Sequence, residues 1–396
     1  MKTSTLKLCL PVIAMTALQS AAAIIIPPYL DALKYPLSAI GSLVSLGPIL
    51  SLAARLPSGL AYRGDRARLL LAGALAVMTL STFLYGFAVK PLHFALVHGL
   101  FGFAYGAATT IYLAFFVEAL PPDEDRHHAM GYYAGCLAIG YSAGGFAAGY
   151  LADRLGYVAT FKSASLLGLL CLVLLFFLRR PSALDTRKDS LTAVSTSSVF
   201  ESLRSILDPK MTTIVVVALF LNMLHQMGSV FIPLYSLAVG LTLTQVGAIK
   251  ALYALCNAIT RPMSGSIAKR LGSRILLWAG LPLQSAFLML VPLFHDLGPL
   301  LVIFLLAGFM RAVVIVANTI SMVEDVDTTR VSRGMASGIF NAAGDIGNIL
   351  GPSTGGLIAS ITGVARLFFF GPLLIAILFC ISLWSCQFLE NSYKRL

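Results

Sequence analysis

The sequence predicts an all-α membrane protein with twelve spanning helices, arranged as two parallel six-helix repeats around a central cavity. Three observations predict it. The 396-residue chain is 58% hydrophobic and only 11% charged, with a mean hydropathy of +0.87, whereas soluble domains carry roughly 25% charged residues. Apolar runs of ~20 residues, each long enough to cross a bilayer, recur along the whole length. The second half of the chain also repeats the first at a fixed offset.

The first run, 8–28, carries Gln19 and Ser20. Its basic start and short apolar core also fit a signal peptide, but the repeat requires it as a retained helix. The run 38–60 ends in "RLPSG". The run 67–88 has no charge in its middle, and 92–117 sets His98, Tyr105, Thr109 and Tyr112 on one face. The run 129–151 is glycine-rich, and 158–178 again lacks a central charge. The polar stretch 179–210 then reads as a linker, of which 198–207 has the pattern of an interfacial amphipathic helix. It separates a bundle at 1–178 from a bundle at 211–396. In the second bundle, 211–236 carries Asn222, His225, Gln226 and Ser229. The run 243–263 spaces Lys250, Tyr253, Asn257 and Arg261 along one face. The run 275–294 has no central charge, 298–322 carries Arg311 and Asn318, and 334–360 carries Asn341, Asp345 and Asn348. The run 366–388 is uncharged in its middle. Most runs hold Gly or Pro, which spanning helices tolerate better than soluble ones.

The halves align at an offset of 206. "IPPYLDALKYPLSAIGSL" at the start of 26–59 lies over "IPLYSLAVGLTLTQVGAI" at the start of 232–265, and Pro27/Pro233, Tyr29/Tyr235, Gly41/Gly247, Arg55/Arg261 and Gly59/Gly265 coincide. The register continues through Gly102/Gly308 and Glu118/Glu324. After a one-residue insertion it gives Gly140/Gly347, Gly144/Gly351 and Gly149/Gly356. Six helices return the chain to the same side, so the copies are parallel repeats. With the N-terminus inside, nineteen Lys and Arg fall in inner loops and tails, against Lys34, Lys90, Arg154 and Arg366 outside. The formal charge of +11 is therefore a positive-inside signal that puts both termini in the cytoplasm, and it does not indicate a nucleic-acid partner. The six cysteines all lie in runs and form no CxxC pair, so neither disulfides nor a metal site are expected.

Two motifs carry a family resemblance. "GSIAKRLGSR" (265–274) follows the pattern G-x-x-x-D-R-x-G-x-R in Gly265, Arg270, Gly272 and Arg274, with Lys269 at the acidic position. "GLAYRGDRAR" (59–68) is a weaker copy with Asp65 two places late. "GIFNAAGDIGNILGPSTGG" (338–356) matches G-x8-G-x3-G-P-x2-G-G in full, and Gly131, Gly140, Gly144 and Gly149 make a partial copy with Gly145 in the proline's place. In these features and in its six-plus-six plan the whole chain resembles the major facilitator superfamily of secondary transporters, in particular its twelve-helix drug:proton antiporter branch. The resemblance implies that the third, sixth, ninth and twelfth helices face lipid and that the other eight line a cavity. It places gating at the first motif, although the missing acidic residue departs from the usual network. It also implies that the glycine-rich helices pack across the two halves.

A charge in the middle of a spanning helix costs about 2.5–3.5 kcal/mol on insertion scales, so the intramembrane polar residues should face the cavity. Asp345 and His98 are the candidates for proton coupling. Arg311, Lys250, His225, Gln226, Asn222, Gln19, Asn257, Tyr105 and Asn341 are the candidates for substrate binding. Arg55, Arg261, Gly59, Gly265, Arg270, Glu118 and Glu324 are the candidates for gating, with Arg55 and Arg261 pairing with Glu118 and Glu324. Asp345 is expected to carry a proton or to pair with Arg311 or Lys250, and Lys250 sits high enough to reach outer water. No GxxxxGK[ST] loop, nucleophile–base pair or metal-ligand cluster stands out, so neither ATP-driven transport, enzymatic chemistry nor a cofactor is expected. The resulting expectation is a monomeric, proton-coupled transporter of the inner membrane whose partners are protons, the bilayer and a small organic substrate. Export follows from the antiporter resemblance. Uptake of an organic anion by proton symport follows from the cationic cavity, and a non-transporting sensor is the third reading.

Overall fold

The computed structural model describes residues 3–64, 66–120, 126–178, 209–324 and 333–393. The linker expected at 179–210, with its interfacial helix, lies outside the described residues except at its last two positions, and so does Asp65. The side chain of Glu324 is likewise outside them.

Among the described residues the chain is helical almost throughout. The helices are α1 (Thr3–Ala32), α2 (Leu37–Ala61), α3 (Ala67–Leu84) and α4 (Pro91–Glu118). The helical run Arg126–Phe176 turns at Gly156, whose φ of 78° and ψ of 172° suit a residue without a Cβ. Its arms, 126–155 and 157–176, are α5 and α6. The second half holds α7 (Pro209–Ala238), α8 (Leu243–Leu271), α9 (Ser273–Met289), α10 (Leu297–Glu324), α11 (Arg333–Thr362) and α12 (Val364–Tyr393). Among the described residues nine helices are long and apolar enough to cross a membrane, counting the bent run once. The two that fall short are α8 and α11. They carry Lys250, Arg261 and Asp345, and α11 is rich in Gly, Ser and Asn.

Helices α1 and α7 lie at the centre. Helix α1 packs on α5 and α7 on α11 within their own halves, while α2 meets α11 and α5 meets α8 across the halves. Exposed apolar side chains cover the outer faces of α3, α6, α9 and α12, among them Leu80, Leu166, Leu283 and Ile377, a surface suited to lipid.

The two cross-half seams repeat each other residue for residue. A Cβ on Gly41 of α2 would collide with Pro352 O of α11, and one on Gly247 of α8 would lie 3.0 Å from Gly145 O of α5. A Cβ on Gly356 would lie 2.7 Å from Leu37 O, and one on Gly149 would collide with Leu243 O. The sequence offset that aligns the halves maps each contact of one pair onto the other. Glycine here lets two backbones touch. Of the other glycines of the long motif, Gly347 and Gly351 face the α7 backbone at Leu219 and Met223, and Gly140 and Gly144 face α1 at Ile13 and Ala17, inside their own half, while a Cβ on Gly131 or Gly338 would meet nothing within 4 Å among the described residues. Packing across the halves, expected of the motif as a whole, thus falls to its last glycines.

Candidate functional site: a polar cavity between the halves

A cavity of about 820 Å³ lies between the two halves, within the range of small-molecule sites. The glycine seams close one end of it. Ser45 Oγ adds contacts of 2.7 Å to both Ile349 O and Ser353 Oγ, and Ser142 Oγ donates to Ala251 O at 3.2 Å. Asp153 of α5 also reaches the start of α8. Its carboxylate accepts from Leu243 N at 3.0 Å, Thr244 N at 2.7 Å and Thr244 Oγ1 at 2.5 Å. Toward the opposite end a Cβ on Gly131 or Gly135 of α5 or on Gly338 of α11 would meet nothing within 4 Å among the described residues.

Of the residues singled out in the sequence, Gln19, Arg55, His98, Tyr105, Asn222, His225, Gln226, Lys250, Asn257, Arg261, Arg311 and Asp345 all line this cavity. Asn341 does not: it is exposed and donates to Ser337 O, one turn before Asp345. Gly59, Gly265, Arg270 and Glu118 lie at helix ends away from it.

The charged groups pair differently from expectation. Asp345 is held by Arg55, Nη1 to Oδ2 at 2.9 Å, and neither Arg311 nor Lys250 is its partner. This ion pair joins α2 to α11 and therefore bridges the halves. Glu118, expected opposite Arg55, instead accepts from the Tyr62 hydroxyl at 2.7 Å. Burial, reinforced by that carboxylate, pushes the Tyr62 phenol well above its usual value and keeps it a donor.

The cavity's other cations, Arg311, Arg261 and Lys250, have no carboxylate partner among the described residues. Arg311 is 9% exposed and donates from Nη1 to Leu221 O at 2.9 Å and from Nη2 to Asn222 Oδ1 at 2.8 Å. Asn222 is oriented by its own bond to Ala218 O. Arg261 donates from Nε to Asn257 Oδ1 at 3.2 Å. Lys250 reaches Ala23 O and Ser229 O and faces the cavity, not the outer water expected of it. The cavity wall therefore presents four cations, Arg55, Lys250, Arg261 and Arg311, against one carboxylate.

The two histidines are tied into the protein. His98 Nε2 lies 3.1 Å from Val44 O, and its Nδ1 lies 2.7 Å from the Tyr85 hydroxyl. A carbonyl can only accept, so Nε2 carries the proton and Nδ1 accepts from Tyr85. His225 Nδ1 lies 3.0 Å from the Tyr253 hydroxyl, and the two rings stack with 10° between their planes. Tyr141 and Gln284 are among the lining residues that the sequence reading did not single out. Tyr141, hydrogen-bonded to Tyr105 through their hydroxyls, ends a small-residue stripe through Ala134 and Ala138 that could have flagged it. Gln284, with Oε1 unpartnered, comes from α9, a helix read as lipid-facing because it lacks a central charge.

Comparison with known proteins accords with this geometry. Residues 8–331 and 236–394 match the family model described as Major Facilitator Superfamily. An uncharacterized MFS-type transporter of Methanocaldococcus jannaschii is 22% identical over 293 residues, which are 74% of this chain and 75% of that protein. The quinolone resistance protein NorA of Staphylococcus aureus is 28% identical over 142 residues, 36% of each chain. Among solved structures, a bacterial homolog of the human lysosomal transporter Spinster, inward-facing and unoccupied, superposes with a TM-score of 0.77 at 15% identity, covering 98% of this chain and 95% of that one. The nucleoside transporter NupG superposes with a TM-score of 0.78 at 15% identity, covering 98% and 99%.

Proposed function

Because the chain belongs to the Major Facilitator Superfamily, whose members are membrane transporters and not enzymes, we propose that it is a proton-coupled secondary transporter working by alternating access, and that it exports a small organic molecule. The observation that carries the reading is a polar cavity between the halves, with matched cross-half backbone contacts at one end and, among the described residues, open space beside Gly131, Gly135 and Gly338 at the other. Twelve spans in two parallel repeats, residues 1–178 and 211–396 joined by a linker at 179–210, would rock about that cavity. The matched pairs of backbone contacts support such a two-fold relation. The positive-inside distribution supports a cytoplasmic position for both termini, and for the open end, in an inner-membrane protein.

In this reading Arg311, with Asn222, Asn257, His225, Gln226, Gln19 and Tyr105 around it, contacts substrate. Asp345 carries the proton, because neutralising it removes the ion pair that bridges α2 and α11. His98 is the weaker candidate, since both its nitrogens already have protein partners. Export is favoured by the partial match to NorA. The excess of cations in the cavity favours a second reading, uptake of an organic anion with protons.

The test compares metabolites inside and outside host cells with and without the protein, beside an Asp345→Asn strain. A compound enriched in the medium only with the intact protein supports export. One depleted from the medium and accumulated inside the cells reverses the direction. Transport whose pH dependence survives Asp345→Asn removes that residue as proton carrier.

A further inference from the structure

A proline inside a helix has no N–H, so it leaves the carbonyl four residues earlier without its helical partner. Pro27 of α1 frees Ala23 O and Pro233 of α7 frees Ser229 O. These are equivalent positions, related by the offset of 206, and they lie on opposite halves. One side chain serves both: Lys250 Nζ donates to Ala23 O at 3.4 Å and to Ser229 O at 3.2 Å. The equivalent of Lys250 in the first half is Val44, so a single ammonium joins two symmetric vacancies.

Both bonds are long for charged donors, which favour about 2.7–2.9 Å. An ammonium has three donors; the third has no protein acceptor among the described residues, and the cavity's one carboxylate is taken by Arg55. Lys250 is thus under-satisfied, faces the cavity and ties α1 of one half to α7 and α8 of the other near the closed end. A carboxylate or phosphate is a better partner for it than two distant carbonyls.

We propose that Lys250 is the bolt of the closed end: its ammonium, steadied by the proline-freed Ser229 O of its own half, holds the halves together through the proline-freed Ala23 O of the other, and an organic anion entering the cavity draws it off and releases them. This rests on the alternating-access reading and names the substrate class. The anion acts because it binds the released ammonium better than the bolted one, and only such a difference shifts an equilibrium.

The test uses the full-length protein in lipid nanodiscs with Ser45→Cys as reporter. Ser45 is 2% exposed between α2 and α11, and rates are read against the same chain without the added thiol. Lys250→Met should raise maleimide labelling about tenfold without any ligand. Pro27→Ala restores an N–H that reclaims Ala23 O, the acceptor on the other half, and should raise labelling severalfold. In the Lys250→Met background it should add nothing, because the bond is already gone. Additive effects of the two substitutions overturn the bolt, since they mean the proline acts only through the shape of α1. Labelling unchanged in Lys250→Met overturns it as well. Benzoate, citrate and phenyl phosphate are the anion probes, with tetraphenylphosphonium as the cation control. At least one anion should accelerate labelling saturably in the native chain and leave Lys250→Met unaffected. Acceleration by the cation alone, or by none of the probes, overturns the exchange. Labelling needs no transported compound, so a failed bolt with intact export leaves the transport reading standing.

Discussion

Asp153 offers the sharpest test of how the closed end is held. The first four N–H groups of any α-helix lack partners within the helix. At the start of α8 all of them are satisfied, but from two sources. Thr242 and Gln245 form a capping box, with Thr242 N donating to Gln245 Oε1 and Gln245 N to Thr242 Oγ1. Leu243 N and Thr244 N both go to Asp153, which belongs to α5 of the other half. The helix therefore completes its cap only while the halves touch. Loss of an N-cap acceptor costs about 0.5–2 kcal/mol, and a carboxylate at an exposed helix N-terminus contributes about 0.3–1 kcal/mol. Asp153 is exposed, so about 1 kcal/mol is the reasonable value for Asp153→Ala, and that is roughly fivefold in the opening equilibrium. Asp153→Asn keeps one acceptor oxygen and loses the charge, so about half the free energy and a twofold effect are expected. Labelling of the Ser45→Cys reporter on the other seam reads the opening of the whole end, so the order should be Ala above Asn above native. Equal labelling of all three proteins would refute the idea that Asp153 holds the halves together. Faster labelling with an equal loss of thermal stability in both variants would reduce it to an ordinary cap.

The remaining predictions concern the cavity and the seams. Exchanging Arg55 and Asp345 in one chain should recover most of the transport lost in Arg55→Asp or Asp345→Arg alone, as measured in the metabolite assay; no recovery would show that their pairing is not what matters. Arg311→Gln should lower apparent substrate affinity at least tenfold, a loss of about 1.4 kcal/mol, while the protein stays monodisperse, because Leu221 O and Asn222 can still be met by an amide. Gly41→Leu puts a side chain into the α11 backbone at Pro352 and should raise Ser45→Cys labelling more than Asp153→Ala does, whereas Gly59→Ala, whose Cβ would meet only Thr110 Cγ2 at 3.9 Å, should leave it alone. His98→Phe leaves Tyr85 and Val44 O without partners in a buried site. It should cost about 1–3 kcal/mol in unfolding with an unchanged pH profile of transport; an altered profile would return His98 to proton coupling.

Much of the fold was legible in the sequence because a bilayer demands it. Apolar runs follow from satisfying backbone groups inside lipid, the glycine spacing from close approach of helices, and the offset between halves was visible directly as repeated residues. Most of the cavity lining was legible for a related reason: Asn222, Lys250, Asn257, Arg311 and Asp345 are too costly to face lipid. Pairing was not legible. Asp345 could be given an inward face from its spacing, but whether Arg311, Lys250 or Arg55 lay opposite depends on how α2 meets α11, and no periodicity records that. Asn341 shows the limit of the same rule, since a stripe along α11 outruns the cavity by one turn and its last residue bonds to its own helix. Gln284 shows the opposite error, because a helix without charge still turns one polar side chain inward. The prolines at 27 and 233 were visible as aligned residues. That they free two carbonyls for one lysine follows only once α8 is seen between them.

The two halves agree at the glycines where they touch and differ at several positions that face the cavity, and the two facts belong together. Under the proposed alternating access, Gly41 and Gly247, or Gly149 and Gly356, serve alike, because a motion that closes one end by one seam needs the other seam to close with it. The lining has no such requirement. Lys250, Arg311 and Asp345 stand where the first half has Val44, Tyr105 and Ala138, and all six positions line the cavity. Two of these replacements add a cation to the second half, and the only anion added is spent on Arg55 of the first. A substrate in this cavity therefore meets one wall that binds charge and one that is largely neutral. Its charged end should stay with α8 and α10 while the neutral wall moves past it. That arrangement lets a single anion report its arrival to both halves, since the lysine it attracts on one wall is the one that holds the other.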